Sequence, residues 1–209
     1  MDQNVTKTRI VETAIEVFLE NGYESATIRD ICARAKANVA AVNYHFGSKG
    51  ALRAAAFERI MTSWHESYPI TEGLAEASSP EERLRLFIRN LLRLVIPEDP
   101  QHARRSKLVW KEMYNPGPAF SILVERFMLP IKDLLHEIIL EIDGQAGPEI
   151  ICLRVGSIMG QCYFHAQNKT VITQLFPGKT YYPRDVERMV DQVYLFSLAG
   201  LKPCAVKAD

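Results

Sequence analysis

The stretch TIRDICARAKANVAAVNYHFGSK, residues 27–49, decides how the rest of the chain is read. Thr27 is a residue that caps a helix, and Asp30 three positions on completes a capping box. Ile28, Ile31, Cys32 and Ala35 then place apolar atoms on one side of a short helix. Lys36-Ala37 leaves room only for a tight turn before Asn38, a good N-cap for a second short helix. Val42 and Phe46, four apart, face the core. Val39, Ala40, Ala41, Asn43 and Tyr44 are left for the other faces, with His45 beside them. That outer surface is small and uncharged, and it carries one amide and one phenol. Such a helix can sit deep in a groove about 12 Å wide, and an Asn can bond an adenine edge at two points. Ser48 reads as the N-cap of the next helix. Lys49 behind it sets an ammonium beside free backbone N–H groups, a combination suited to phosphate. Paired short helices also occur in all-α proteins that never meet DNA, so the pattern alone leaves both readings open.

Bulk properties neither add to nor remove the DNA reading. The chain has 209 residues, with 25 basic and 25 acidic side chains, so there is no overall basic excess. The first fifty residues are balanced too: Lys7, Arg9, Arg29, Arg34, Lys36 and Lys49 stand against Asp2, Glu12, Glu16, Glu20, Glu24 and Asp30. The acids lie mostly on the first helix and the bases near the expected contact face. Specific contacts and a modest salt dependence are therefore expected, rather than a broad basic field. Cys32, Cys152, Cys162 and Cys204 show no C-x-x-C spacing, and the first three lie in apolar helical patterns as small hydrophobes. The start, MDQNVTKTR, is polar, and the longest apolar run, Ile150 to Phe164, is interrupted by Arg154 and Gln161. A soluble, cytoplasmic protein with no membrane partner is expected.

Outward from the central stretch, the periodicity predicts an all-α chain of about nine helices and no strand. The first helix spans about Thr6 to Asn21, with Gly22 as its stop. The fourth starts at Ser48 and runs to about Ser67 through Leu52, Ala56, Ile60 and Trp64. It is long enough to serve both halves of the molecule. Residues 69–79 read as a polar loop. Ser79-Pro80-Glu81-Glu82 is a strong helix start, and Arg83, Arg85, Arg89 and Arg93 form a solvated face on the helix that follows. Next come a helix near 102–114, the breaker Asn115-Pro116-Gly117-Pro118, and a long helix near 119–142 that Pro130 should kink. The segment 149–168 is apolar nearly all round and so must be covered on two sides. Its Gly156 and Gly160 permit close approach of another helix. Residues 169–182 read as a loop with at most one helical turn. A last helix opens at Pro183 and ends near Gly200.

Taken together, AIEVFLENGYESATIRDIC (14–32) and NVAAVNYHFGSKGAL (38–52), with the aromatic-His-Phe step and the Ser-Lys that follows, resemble the N-terminal domain of the TetR family of one-component transcriptional regulators. The resemblance runs from about Arg9 to Leu52. It implies that Thr27, Tyr44, His45 and Lys49 contact phosphate, and that Val39, Ala40, Ala41 and Asn43 face base edges. Spacing alone would let Val39 point inward; the family pattern turns it outward. The family's turn usually holds Gly where this chain has Lys36, which would then sit at positive φ or reshape the turn. Lys36 and the capping Asn38 complete the expected DNA-facing set. LFSLAGLK (195–202) and EMYNPGPAF (112–120) resemble the branch of the family with a CecR-like C-terminal half.

The resemblance implies a helix-turn-helix domain over residues 1–50 and a helical effector-binding and dimerisation domain over 51–209. The helices near 149–168 and 183–199 would pair with those of a second copy, because a symmetric dimer is what reads two half-sites of a palindromic operator. It also implies a cavity for a small-molecule effector of unknown identity. Candidates for its lining are Trp64, Tyr68, Trp110, Met113, Tyr114 and Phe127, together with Met159, Gln161, Cys162 and His165. Aromatic and Met side chains at helical spacing serve as plain core at least as readily. Polar groups near His165, including Arg154, Gln161 and Tyr163, need partners on so apolar a helix. The expected protein is a repressor that grips its operator and is released when an effector prefers another tilt of the fourth helix. The competing reading is a helical ligand-binding or scaffold protein without sequence-specific DNA binding. No enzyme is expected: the five histidines are scattered without metal spacing, GSIMG at 156–160 lacks the central Ser of a nucleophile elbow, and no cofactor fingerprint occurs.

Overall fold

The computed structural model describes residues 3–178 and 185–201. Its elements are α1 (Gln3–Ser25), α2 (Ile28–Ala35), α3 (Val39–Phe46), α4 (Lys49–Ser67), α5 (Pro80–Val95), α6 (Pro100–Tyr114) and α7 (Phe120–Leu123). A π-helical turn (Val124–Met128), α8 (Leu129–Ile142), α9 (Pro148–Gln167), α10 (Lys169–Leu175) and α11 (Val186–Leu201) follow. The chain divides into two compact units, one of residues 1–64 and 99–128, the other of 65–98 and 129–209. This is a division by packing. The expected functional division at residue 50 is a different cut.

The first unit is organised by α1. Ile10, Ala14, Val17 and Phe18 form its buried face, with Ile31, Cys32 and Ala35 of α2, Val42 of α3 and Leu52, Ala56 and Ile60 of α4 also in the core. Truncating one such Leu or Ile to Ala costs about 2–5 kcal/mol in a packed core. Gly22 interrupts α1 at φ 74°, and residues 23–25 add one further turn. A second set of contacts is electrostatic. Glu12, Glu16 and Glu20 recur every four residues along α1. Glu20 holds Arg34 of α2, Glu16 holds Arg104 and Arg105 of α6, and Glu12 holds Arg105 at 2.8 Å and Arg59 of α4 at 2.9 Å. Three of the six acids of the first fifty residues are therefore committed to arginines within the unit.

The second unit packs α5 against α8, α9 and α11. Leu84, Phe87, Ile88, Leu91 and Leu92 are wholly buried, and Asn90 lies among them at 2 % exposure. Its amide donates to the carbonyls of Ile70 at 3.0 Å and Glu72 at 2.8 Å, which pins the preceding loop. Ser79 caps α5 by accepting from the Glu82 N–H, and the Glu82 carboxylate accepts from the Ser78 N–H and hydroxyl, one residue earlier than in the usual box. The α5 arginines are not a bare solvated face. Arg83 pairs with Glu141, Arg85 with Asp191 and Glu187, and Arg93 with Glu72.

Two local readings need correction. The 119–142 rod is not one helix kinked at Pro130 but α7, a π-turn and α8. Proline cannot donate to the carbonyl four residues back, and a wider turn just before it absorbs the mismatch. Residues 169–175 form the two-turn helix α10 instead of loop, anchored by buried Ile172. The expected opening of the last helix at Pro183 lies outside the described residues. Lys36 takes the left-handed conformation, φ 48° and ψ 47°. That conformation costs a residue with Cβ about 1–2 kcal/mol, of which Gly would return part to unfolded-chain freedom. Lys36→Gly is expected to raise stability by roughly 0.5–1 kcal/mol, read as a higher melting temperature.

Candidate nucleic-acid interface

Helix α2 starts as its sequence requires. The Thr27 hydroxyl accepts from the Asp30 N–H at 3.1 Å and donates to the Asp30 carboxylate at 2.7 Å. The left-handed Lys36 returns its N–H to the Ala33 carbonyl, and the Ala37 N–H follows to Cys32. This closes the turn within two residues. Asn38 then caps α3 through its side-chain oxygen, which accepts from the Ala40 N–H at 3.0 Å. That amide oxygen is occupied by the cap, so any role of Asn38 toward a ligand falls to its NH₂ group.

On α3, Val42 is buried and Phe46 half-buried, while Val39, Ala40, Asn43 and Tyr44 are exposed and Ala41 and His45 are half-covered. Tyr44 is 75 % exposed, and its ring meets His45 edge-on at 5.1 Å. The face opposite the core is thus short side chains plus one amide and one phenol, with no acid on it. Thr27, at the start of α2, and Lys36 and Asn38, in the turn after it, are also exposed. Ser48 caps α4 by accepting from the Ala51 N–H at 3.1 Å. The Lys49 ammonium donates to the Glu24 carbonyl at 3.1 Å and stands 4.4 Å from the centre of the Tyr23 ring. An ammonium has three donors, so this bond leaves two.

Sequence reasoning passed over Arg53 and Glu112. Arg53 lies in the buried face of α4, its guanidinium 4.2 Å from the centre of the same Tyr23 ring. It pairs with Glu112 of α6, whose side chain is fully buried. The other Glu112 oxygen accepts from the Gly117 N–H at 2.9 Å and the Ala119 N–H at 3.1 Å. The signal was available. Arg53 interrupts the stripe Leu52, Ala56, Phe57 and Ile60, and a charge inside an apolar stripe needs a partner.

The ten expected effector residues fall five in each unit. In the first, Trp64 is buried with no acceptor within reach of its indole N–H, Trp110, Met113 and Phe127 are half-buried, and Tyr114 is exposed. In the second, Met159 and Cys162 are buried and Tyr68, Gln161 and His165 are half-buried. Burial pushes the Cys162 thiol up to about 12 and holds the His165 imidazole below its usual value. The Gln161 amide donates to the Ser157 carbonyl at 3.3 Å and reaches the Ser197 hydroxyl at 3.4 Å. Arg154 is engaged with Asp143 at 2.7 Å and the Leu201 carbonyl, not with His165.

A capped helix, a two-residue turn and a second helix with an outward uncharged face define a helix-turn-helix module on an all-α body. Residues 10–56 match the family model of bacterial regulatory proteins, tetR family. Residues 80–201 match the C-terminal domain of the HTH-type transcriptional dual regulator CecR. The chain belongs to the TetR family of transcriptional regulators and carries the CecR type of C-terminal domain. It is 26 % identical over 196 residues to the HTH-type transcriptional dual regulator CecR of Shigella flexneri, covering 89 % of this chain and 86 % of that one. It is 22 % identical over 183 residues to YttP of Bacillus subtilis, described as a probable HTH-type transcriptional regulator, covering 85 % and 86 %. The fold is similar to that of FadR from Bacillus subtilis, solved in complex with stearoyl-CoA, with a TM-score of 0.65 and 18 % identity over 92 % of this chain and 98 % of that one. At that identity the likeness is one of fold. Among the described residues no helix is long and apolar enough to cross a membrane.

Glu12 on α1 makes the unit acid-sensitive. Burial pushes the Glu12 carboxyl up, but hydrogen bonds and charge from Arg59 and Arg105 outweigh it and hold it below its ordinary 4.5. A folded-state value below the unfolded one gives stability that is complete above the unfolded value and lost as pH falls through the folded one. Glu12→Gln is expected to cost about 0.5–1 kcal/mol at pH 7, as for partly exposed pairs. The gap from the parent, measured by urea unfolding, should close below the ordinary carboxylate range.

Proposed function

We propose that the protein is a dimeric, ligand-responsive repressor of transcription that binds a palindromic operator in double-stranded DNA and is released from it by a small molecule. The observation that carries the DNA reading is the outward face of α3. Val39, Ala40, Asn43 and Tyr44 are solvent-exposed while Val42 anchors the helix in the core. In this reading residues 1–50 are the DNA reader. Asn43 and the small residues Val39, Ala40 and Ala41 meet base edges, and Thr27, Lys36, Asn38, Tyr44, His45 and Lys49 hold the backbone. Residues 51–209 carry the effector site and the dimer contact, and the protein works in the cytoplasm as a regulator rather than a catalyst.

The dimer reading is supported by what α9 and α11 leave uncovered. Ile150, Leu153 and Phe164 on α9 and Leu195 and Phe196 on α11 are exposed. An added Cβ at Gly156, Gly160 or Gly200 would meet nothing within 4 Å, so close approach of another helix is open there. So many large apolar side chains on two adjacent helices mark an interaction surface, and a two-fold axis would let the same patch cover itself. Leu153→Glu with Phe196→Glu should convert the dimer to a folded monomer in sedimentation.

In this reading the effector is held by residues of 51–209, with Gln161 and His165 supplying polarity. It can weaken DNA binding only through a difference in affinity for two states of the protein. Selection of DNA from a random pool by the purified protein tests the whole reading. A palindrome is expected to be enriched, and Asn43→Ala with Tyr44→Ala should abolish the enrichment while leaving the melting temperature within a degree or two. Retention without sequence preference would favour a helical ligand-binding or scaffold protein instead.

A further inference from the structure

We infer that Arg53 and Glu112 are positioning residues for DNA binding: their buried pair clips the loop after α6 onto the first turn of α4 and thereby holds Lys49 where it can meet a phosphate. The inference rests on the DNA-binding reading and goes beyond it, because neither residue faces the DNA-reading surface.

Four observations within the first unit support it. The Glu112 carboxylate is completely buried and has no partner of convenience: one oxygen takes the Arg53 guanidinium and the other takes the N–H groups of Gly117 and Ala119. The loop 115–119 therefore fixes the carboxylate, and the carboxylate fixes Arg53. A Cβ added at Gly117 would lie 2.9–3.1 Å from three guanidinium atoms of Arg53, so a side chain there has to push the end of Arg53 aside from the pair. Pro118 also sits against the start of α4, since a Cβ at Gly50 would be 3.5 Å from its Cγ. Finally, Arg53 and Lys49, one helical turn apart, share the Tyr23 ring, with centroid distances of 4.2 and 4.4 Å. Tyr23 is steadied on another side by Phe18, whose ring lies edge-on at 5.5 Å.

The consequence is a chain of contacts from loop to cation. A lysine is a flexible point charge, and ordering it is a cost that must be met on binding. Here the ring held by Arg53 and the Glu24 carbonyl hold the ammonium beside the α4 N-terminus before DNA arrives. Loosening Arg53 frees the ring, and with it Lys49, without removing any group from the DNA-facing surface.

The test is the salt dependence of operator affinity for the full-length protein, using the sequence enriched from the random pool. Each phosphate contact contributes about 0.9 to the slope of log affinity against log salt. Lys49→Met should lower the slope by about 0.9 per half-site. Glu112→Gln and Gly117→Ala leave the ammonium in place, so they should keep the slope but lower affinity several-fold at fixed salt, and combining either with Lys49→Met should lower affinity no further than Lys49→Met alone. A merely structural role would add its loss to that of Lys49→Met, so the non-additivity separates the two. Gly117→Ala keeps both charges and covers the case in which Glu112→Gln folds poorly. The inference is overturned if both loop variants keep the parent affinity, if their loss is as large in the Lys49→Met background as in the parent, or if Lys49→Met itself changes nothing; in each case the DNA reading stands. If the wild type enriches no sequence, that reading falls and takes this inference with it.

Discussion

A carboxylate with no access to water is the constraint around which the first unit is built. Glu112 can remain in the interior only because a guanidinium and two backbone N–H groups surround it. Breaking such a pair by removing one partner typically costs about 3–5 kcal/mol, because the remaining charge is stranded. That cost makes the pair a specification of geometry. It fixes the loop beyond α6 to the buried carboxylate through the Gly117 and Ala119 N–H groups, and a side chain at position 117 would crowd the guanidinium. The proline on either side of Gly117 stiffens the return, since each fixes its own φ.

Around that centre the unit uses cheaper interactions for the same purpose. Glu12, Glu16 and Glu20 of α1 form a line of acids to which α2, α4 and α6 each present arginine. Partly exposed pairs of this kind add little individually. Arranged along one helix, they set the register of three neighbours against it. Half of the acids in the first fifty residues are taken up by this pairing, and the face of α3 left to solvent carries none.

The second unit has the opposite problem, an apolar surplus. Helix α9 directs Ile151, Val155, Ile158 and Cys162 inward and leaves Ile150, Leu153 and Phe164 outside. The sequence showed a helix apolar on all sides and could not say which side the rest of its own chain would take. That depends on where α5, α8 and α11 pack, which is decided by long-range contacts. The same limit explains the effector residues. A list of aromatic and Met positions does not distinguish core from cavity, because both are lined by the same side chains. Arg154 shows the point in reverse: near His165 in sequence, it is taken up by Asp143.

Local chemistry was therefore legible from residues alone. The caps at Thr27, Asn38 and Ser79, the two-residue turn, the anchor at Val42 and the outward Asn43 and Tyr44 all follow from side chains acting within a few positions of themselves, and such interactions survive in any tertiary context. Lys36 is different: the family resemblance leaves open a left-handed residue or a reshaped turn, and the structure has the left-handed residue. What only the tertiary structure decided were pairings across long sequence separations. Arg53 and Glu112 are 59 residues apart, and Arg105 and Glu12 are 93. Nothing in a linear pattern says which of 25 acids a given arginine will meet. That choice is made by the packing of apolar faces, which brings the helices together first and leaves the buried charges to find the partners that geometry allows.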